Sequence, residues 1–374
     1  MNICFAGDSF IGGDLINSRD KNVINSYEYY SADKRIVNIE QAISDSEDTE
    51  EKSTLYSTTQ ILPLIKRLKI DSAALSNNHI QDKGEEGIFD TLVNLKESGV
   101  ETFGAGKNIN EAEKPVQLNE SLFLFGYCEH SKSYLNKIKI ADKKGPGVNP
   151  FSYQKVLADL DSIPDVAKAI LHLHWGREHV ALPEREHIDF SKKLLDHPKV
   201  LLIIGMHPHR IQGTISHKGK KAYLSLGNFL FPNFYIKPRT QIAYPEKDLP
   251  ENVKTTKDYH FVGELTFKKW RLINRISLMV IFDTVNNSIK EVPILQKKNS
   301  PEVHEIEGTY KELVLLYVKI LSLTYKLPVF IYKPIQQIYV LVKKFTRYTY
   351  IVIFLIRQNG IRWTFNKALE YLSR

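Results

Sequence analysis

Short apolar runs alternate with amphipathic stretches through the first two-thirds of the chain. Runs of consecutive apolar residues bounded by turn residues predict strands buried on both faces at "NICFAG", "RIVNIE", "SLFLFGY", "AKAILHLHWG" and "VLLIIGMH". Apolar residues spaced three and four apart predict helices at "STTQILPLIKRLKI", "GIFDTLVNLKESG" and "REHIDFSKKLLDHP". A strand and helix alternation of this kind is typical of an α/β architecture.

The pattern is interrupted between residues 234 and 260. This polar segment carries several prolines and lysines, and its length predicts a lid, a binding loop or disorder. "HFVGELTFKKW" and "RISLMVIFDTV" then resume the apolar pattern, and we expect them to form a hairpin at a sheet edge. We therefore predict one domain over residues 1–300 and a separate tail over residues 301–374.

The tail differs in composition from the rest of the chain. Much of the net charge of +8 lies there, so the charge indicates a specialised tail and not a surface for nucleic acid. Its longest uncharged run, Tyr348 to Ile356, is far shorter than the about 20 residues that span a bilayer. Two interpretations stay open: helices lying on an anionic membrane surface, or helices that pack on the core or in a dimer.

The start of the chain and its cysteines bear on its compartment. "MNICFAGDSF" has no basic stretch followed by an extended apolar one, so we predict no signal peptide and a cytoplasmic protein. The tail leaves peripheral attachment to the inner membrane face open. Cys4 and Cys128 have no metal-type spacing, which fits a reducing compartment without disulfides. No GxSxG or P-loop motif occurs, so nothing predicts a nucleophilic serine or a P-loop nucleotide site.

Side chains that bind metals follow five of the apolar segments, each where a strand meets a turn. A single such histidine is ordinarily just a solvated or hydrogen-bonded side chain, but strand ends in α/β sheets converge on one crevice. Carboxylate, amide and imidazole ligands together suit Mn, Fe or Zn, so we predict a site for one or two divalent ions. His172, two residues before His174, is expected to face away from the metal. The five segments supply Asp8; Asn38 and Glu40; Asn78, His79 and Asp82; His174 and Glu178; and His207 with His209.

Seven motifs occur in the order and spacing of the CapA family, named for poly-γ-glutamate capsule synthesis. The resemblance covers roughly residues 1–295 and rests on "GDSFIGGD", "NIEQAIS", "SNNHIQDKGEEGIFDTL", "GAGKNINEAEKP", "LHWGREHVALPE", "IIGMHPHRIQG" and "YLSLGNFLF". That family resembles the calcineurin-like metallophosphoesterases, which implies a four-layer α/β/β/α sandwich with metals at strand ends. The resemblance implies that His79 faces the substrate as a cation or acid. It implies six metal ligands: Asp8, Glu40, Asn78, His174, His207 and His209. One departure is Phe10, which stands where those phosphoesterases have a histidine.

The combined pattern predicts a metal-dependent hydrolase. We expect a phosphoesterase that acts on a capsule, exopolysaccharide or other cell-envelope precursor. Two alternatives stay open: a non-catalytic accessory protein of capsule assembly, and an amide hydrolase for a poly-γ-glutamyl substrate. Three arginines are expected near the opening of the site, and they favour an anionic glycan or phosphorylated precursor as the substrate: Arg177, Arg210 and Arg239. No nucleic acid is expected as a partner.

Overall fold

A computed structural model of the protein describes residues 1–18, 22–49, 54–132, 135, 137–237, 241–243, 253–256, 264–363 and 365–366. The helices are α1 (Tyr27–Ser31), α2 (Leu62–Leu68), α3 (Gly84–Glu97), α4 (Ile109–Ala112), α5 (Tyr153–Ser162), α6 (Arg185–Leu195), α7 (Leu272–Arg275), α8 (Gly308–Thr324) and α9 (Val329–Asn359). The strands are β1 (Asn2–Ser9), β2 (Ile24–Asn25), β3 (Lys34–Ile39), β4 (Ala42–Ile43), β5 (Tyr56–Ser57), β6 (Ser72–Ala74), β7 (Glu101–Phe103), β8 (Ala105–Gly106), β9 (Val116–Asn119), β10 (Leu122–Cys128), β11 (Gly147–Val148), β12 (Lys168–His174), β13 (Val200–Met206), β14 (Thr214–His217), β15 (Lys220–Tyr223), β16 (Phe234–Lys237), β17 (Gln241–Ala243), β18 (Lys254–Thr256), β19 (Thr266–Lys268), β20 (Ile276–Asp283), β21 (Ser288–Gln296) and β22 (Val303–Glu305).

Two large mixed sheets form the centre of the fold. Among the described residues, one has the strand order β2-β22-β21-β20-β1-β3-β6-β7 and the other β14-β15-β13-β12-β10-β9. Within each sheet the strands predicted from buried runs pair in parallel: β1 with β3 and β3 with β6 in the first, and β10, β12 and β13 in the second. The carboxyl ends of these parallel strands therefore lie at one edge of each sheet.

Strand β1 shows why the sequence builds four layers. Ile3 and Phe5 belong to the core shared with the second sheet, whereas Cys4 and Ala6 belong to the core shared with the helices. Because side chains alternate across a strand, a strand buried on both faces needs apolar residues at every position. Helices α1, α2 and α3 contribute to the outer core of the first sheet, and α6 contacts β13, β14 and β15 on the second. The predicted α/β/β/α sandwich is thus the fold of this chain.

The edge hairpin predicted from "HFVGELTFKKW" and "RISLMVIFDTV" is wrong. Strand β20 pairs with β21 on one side and with β1 on the other, inside the eight-stranded sheet, whereas β19 lies in a separate four-stranded sheet with β16, β17 and β18. Pairing with β1 joins residues about 280 positions apart, which no local pattern reveals. Strands β16 to β18 fall in the polar segment for which a lid or loop was predicted; its other parts, 238–240, 244–252 and 257–263, lie outside the described residues.

The first compact unit extends from Met1 to Tyr325, past the boundary predicted at residue 300. The reason is α8, which contacts β14 and β21 and buries Val318 and Leu321. Its end is also tied down, because the Tyr325 hydroxyl accepts a hydrogen bond from the Gly213 amide at 2.7 Å. The second unit comprises residues 326–374 and contains α9.

Candidate metal centre

The predicted ligands come together where strands of the two sheets end. Each lies in or just after the strand that the sequence indicated, and each is at most 6% exposed. Asp8 lies in β1 and Glu40 directly follows β3. His174 is the last residue of β12, and His207 and His209 follow β13. The first sheet therefore supplies the carboxylates, and the second supplies the imidazoles.

Glu40 occupies the middle of this cluster. Its Oε1 lies 3.6 Å from His174 Nε2, 3.6 Å from His209 Nε2 and 3.9 Å from His207 Nδ1. Glu40 is fully buried, and within the described part of the chain neither of its carboxylate oxygens has a hydrogen-bond partner. A buried carboxylate without donors requires either a proton or a cation. Burial raises the pKa of Glu40 well above its usual value, and the nearby negative charge of Asp8 raises it further.

Two sets of ligand atoms in the described chain are close enough to hold an ion, and Glu40 belongs to both. One set is Glu40, His174 and His207, and the other is Asp8, Glu40 and His209; the ligand atoms of each lie within 4.8 Å of one another. Mixed carboxylate and imidazole donors suit Mn, Fe or Zn. The orphaned oxygens of Glu40 at the centre of these sets fit a bound cation, whose identity the geometry does not specify.

Asp8 is held in place by two hydrogen-bond donors that are not themselves ligand atoms of these sets. Asn38 Nδ2 donates to Asp8 Oδ1 at 2.8 Å, and the backbone amide of His207 donates to Asp8 Oδ2 at 3.1 Å. Burial raises the pKa of Asp8, while His209 and these donors oppose that effect. Hydrogen bonds of this type fix the direction in which a ligand presents its oxygen.

The histidines are held in ligand-like orientations. His209 Nδ1 lies 2.9 Å from Asn228 Oδ1, so Nδ1 donates that hydrogen bond and Nε2 keeps a lone pair toward Glu40. His174 Nε2 lies 2.7 Å from Asn78 Oδ1, which places both atoms within reach of one ion. Burial lowers the pKa of His174, His207 and His209, which favours the neutral form that binds metals. Asn228 was not among the candidate site residues named from the sequence; its position after the apolar run "YLSL", within the motif "YLSLGNFLF", was the available signal.

The backbone around this centre is strained and closely packed. His207 and His209 have φ angles of 93° and 51°, in a region that residues with a side chain rarely adopt. Gly7 allows β1 to approach the turn that carries Asn228, because a Cβ at position 7 would lie 1.9 Å from the Gly227 carbonyl oxygen. Strain of this kind persists where the surrounding structure over-determines the conformation, and it clusters at functional sites.

His79 is paired with Asp82, which the sequence indicated only as a candidate metal-binding side chain. Its Nδ1 lies 2.6 Å from Asp82 Oδ2, and both residues are buried. Asp82 also accepts the amide hydrogen of Leu55 at 2.5 Å. A carboxylate bonded to Nδ1 fixes the ring orientation and leaves Nε2 for another group. The spacing of three residues in "HIQD" was the signal that pointed to this pair.

The arginines predicted for substrate lie at half-buried positions and contact other protein groups. An Arg177 guanidinium nitrogen lies 3.8 Å from Glu184 Oε1, and Arg210 donates to the His179 carbonyl oxygen at 3.1 Å. Neither belongs to the two ligand sets. Arg239 lies outside the described residues. The charge of Glu178 raises the pKa of Glu40 and acts on His207 and His209, so this carboxylate is close to the centre.

Phe10 belongs to an aromatic cluster beside His209. Its ring centroid lies 5.7 Å from those of Phe231 and Phe234, and Trp270 packs against Phe231 at 5.1 Å. His209 contacts Phe231 at 5.3 Å between centroids. A phenyl ring offers no lone pair, so the Asp8 side of the centre has an apolar wall at the position where the resemblance implied a histidine.

The orientation predicted for His172 is wrong. Residues two apart in a strand point to the same face, so His172 lies on the His174 face of β12, deeper between the sheets. It packs edge-on against Phe103 at 5.7 Å, and neither ring nitrogen has a hydrogen-bond partner in the described residues. Burial lowers the pKa of His172 to about 3.

Replacing His172 with leucine is expected to make the protein more tolerant of acid. The unfolded chain binds a proton below about pH 6.5, whereas folded His172 does so only near pH 3, so this group removes stability as the pH falls between those values. Between pH 7.5 and 5.0 the variant should lose about 2 kcal/mol less unfolding free energy than the wild type. Urea titrations in chelator at both pH values measure the difference; parallel losses in the two proteins would contradict it.

Comparison with known proteins places the chain among capsule proteins. A family model described as "Bacterial capsule synthesis protein PGA_cap" matches residues 2–233. The capsule biosynthesis protein CapA of Bacillus anthracis is 28% identical over 162 residues, which cover 42% of this chain and 39% of that protein. The PGA biosynthesis protein CapA of Bacillus subtilis is 23% identical over 192 residues, covering 50% and 49%. A probable polyglutamine synthesis accessory protein of Mycobacterium tuberculosis is 24% identical over 221 residues, covering 54% and 56%.

The chain therefore spans about half the length of the curated relatives it matches. Among solved structures, NAD nucleotidase of Haemophilus influenzae aligns over 85% of this chain and 55% of its own, with 12% identity and a TM-score of 0.37.

Proposed function

Because the chain belongs to the bacterial capsule synthesis family PGA_cap, we propose that it is a metal-dependent hydrolase of a phosphorylated capsule or cell-envelope precursor. The observation that carries the proposal is the carboxylate of Glu40, which is fully buried, has no hydrogen-bond donor among the described residues, and lies 3.6 to 3.9 Å from three imidazoles. Burying a charged carboxylate is unfavourable for a folded core, and three neutral imidazoles beside it supply the further ligands that a cation needs.

The ligands proposed for the ion are Asp8, Glu40, Asn78, His174, His207 and His209. These residues would hold a divalent ion, which would supply an activated water and a Lewis acid for a phosphoryl oxygen. His79, oriented by Asp82, donates a hydrogen bond or a proton to the leaving oxygen. The wall formed by Phe10, Phe231 and Trp270 excludes water on one side, and Arg177 and Arg210 attract the negative charge of the substrate.

We expect one ion to bind much more tightly than a second. The first set has four donors when Asn78 is added to Glu40, His174 and His207. The second set has three, from Asp8, Glu40 and His209, and lies beside the aromatic cluster that contains Phe10. Replacing Phe10 with histidine should therefore tighten the second site, while Phe10→Leu should not. Calorimetric titration of Mn²⁺ into metal-free protein measures both sites; two equally tight sites in the wild type would contradict this arrangement.

The function is tested by elemental analysis followed by a substrate panel. Protein purified without chelator or metal-affinity resin should contain Mn, Fe or Zn at near-stoichiometric levels, and it should hydrolyse aryl phosphomonoesters or phosphodiesters in a chelator-sensitive manner. A panel that also contains γ-glutamyl peptides separates phosphoester from amide hydrolysis. Metal-loaded protein that turns over none of these compounds would contradict the hydrolase proposal.

An accessory role in capsule assembly is the second candidate. It is favoured by the name of the Mycobacterium tuberculosis relative, which describes an accessory protein, and by the loss of a ligand at Phe10. In that case the ion would only stabilise the fold. Its removal would lower the melting temperature of the protein, and the protein would hydrolyse none of the compounds in the substrate panel.

A further inference from the structure

Helix α9 carries a continuous exposed apolar face. The helix spans 31 residues, which corresponds to about 46 Å at 1.5 Å per residue. Apolar side chains recur at spacings of three and four along it, which places them on one side. Near the middle of this side, Phe345 is 72% exposed and Leu341 is 65% exposed. The face consists of Ile335, Ile338, Leu341, Val342, Phe345, Val352 and Ile353, all of them exposed.

The other side of α9 is basic. Between residues 329 and 359 the sequence contains five lysines and arginines and no aspartate or glutamate. At 100° per residue, Lys333 and Lys344 fall opposite Val342 and Ile335. Tyr339 lies between the two faces, with Lys343 Nζ 5.7 Å from its ring centroid. Aromatic side chains with a polar end favour such a boundary between apolar and wet surroundings.

We propose that α9 lies in the plane of a bilayer that contains anionic lipids. The apolar face would enter the boundary between headgroups and acyl chains, and the lysines would contact the negative headgroups. No helix in the described residues is long and apolar enough to cross a membrane, so the helix would lie along the surface. This inference does not depend on the proposed hydrolysis and would hold if the centre proved inactive.

Charge distinguishes this occupant from a second copy of the chain. A second copy packed through the apolar faces would leave the five basic residues of each α9 pointing away from the contact, without a single acidic partner on either helix. An anionic lipid surface satisfies the apolar face and the basic face at the same time.

The test uses the full chain and two kinds of vesicle. One kind is pure phosphatidylcholine, and the other contains about one-third phosphatidylglycerol. Co-sedimentation at about 0.1 M salt should show binding to the anionic vesicles and much weaker binding to the neutral ones. Equal binding to both, or no binding to either, would overturn the proposal.

A matched pair of charge reversals locates the contact. Lys343→Glu with Lys344→Glu should weaken binding about 30-fold or more, since each basic residue near an anionic surface contributes about fivefold and the reversed charges add repulsion. Lys143→Glu with Lys144→Glu changes the net charge equally at exposed positions of the first unit and should leave affinity nearly unchanged. Equal losses in the two variants would overturn the placement on α9.

A second variant tests the apolar face without changing the charge. Leu341→Ser with Phe345→Ser should reduce binding about tenfold or more, because both side chains would leave an apolar environment. Sedimentation velocity without vesicles serves as the counter-test. A dimer that the same two substitutions dissociate would assign the face to a second copy and overturn the lipid proposal.

Discussion

Glu40→Gln is expected to remove stoichiometric metal from the protein and with it any hydrolysis. Glu40 is the residue common to both ligand sets of the described chain, so one substitution weakens both of these candidate positions. Losing an outer-shell partner of a ligand already costs about 10- to 100-fold in metal affinity, and we expect the loss of this ligand to exceed 100-fold. Elemental analysis and Mn²⁺ titration measure it.

The same substitution should make the metal-free protein more stable. Folded Glu40 has a raised pKa, so it retains a proton that the unfolded chain releases, and its contribution to stability falls as the pH rises above about 4.5. Glutamine carries no such penalty, and its amide can donate to the neighbouring imidazoles. We therefore expect a higher melting temperature than the wild type in chelator at pH 8, together with no increase when Mn²⁺ is added.

Glu184→Gln is the matched control for this experiment. Glu184 pairs with Lys132 at 3.3 Å and belongs to neither ligand set, so the variant should bind metal as the wild type does. If Glu40→Gln retained stoichiometric, tightly bound metal, the assignment of the centre would fail.

His79→Gln is expected to reduce turnover about 100- to 10,000-fold while leaving the metal in place. The expected loss is that of a general acid, and His79 is in neither ligand set of the described chain. The effect should shrink for an aryl phosphate, whose leaving group needs no proton, and stay large for an alkyl phosphate. Rates on the two substrates, with metal content measured in parallel, test this.

Asp82→Asn should act in the same direction with a smaller effect. Asp82 holds His79 Nδ1 at 2.6 Å, and an asparagine would position the ring less strongly. Loss of metal in the His79 variant would instead make His79 a ligand, and equal losses on both phosphates would contradict its role as an acid.

Much of this architecture follows from local sequence patterns. The doubly buried strands, the amphipathic helices and the polar residues at strand ends are each visible within a dozen residues, because periodicity and turn chemistry act locally. Within each sheet, neighbouring parallel strands have their ends at the same edge, so the sequence also predicted that Asp8, Glu40, His174, His207 and His209 would meet.

Pairings between distant segments were decided only by the tertiary structure. Strand β20 lies beside β1 because surfaces far apart in sequence are buried against each other. The packing of α8 has the same cause, and it extends the first compact unit from the predicted residue 300 to Tyr325. The same is true of Asn228 beside His209 and of Phe10 within an aromatic cluster.

The sequence by itself therefore determined which side chains could bind an ion and on which strands they lie, because residue type and periodicity are local properties. Only the folded chain decided that Glu40 is left without a donor, that Asp82 orients His79, and that α9 exposes its apolar face. Each of these depends on which groups surround a side chain in three dimensions, and it is that environment which sets its charge, its partners and its chemistry.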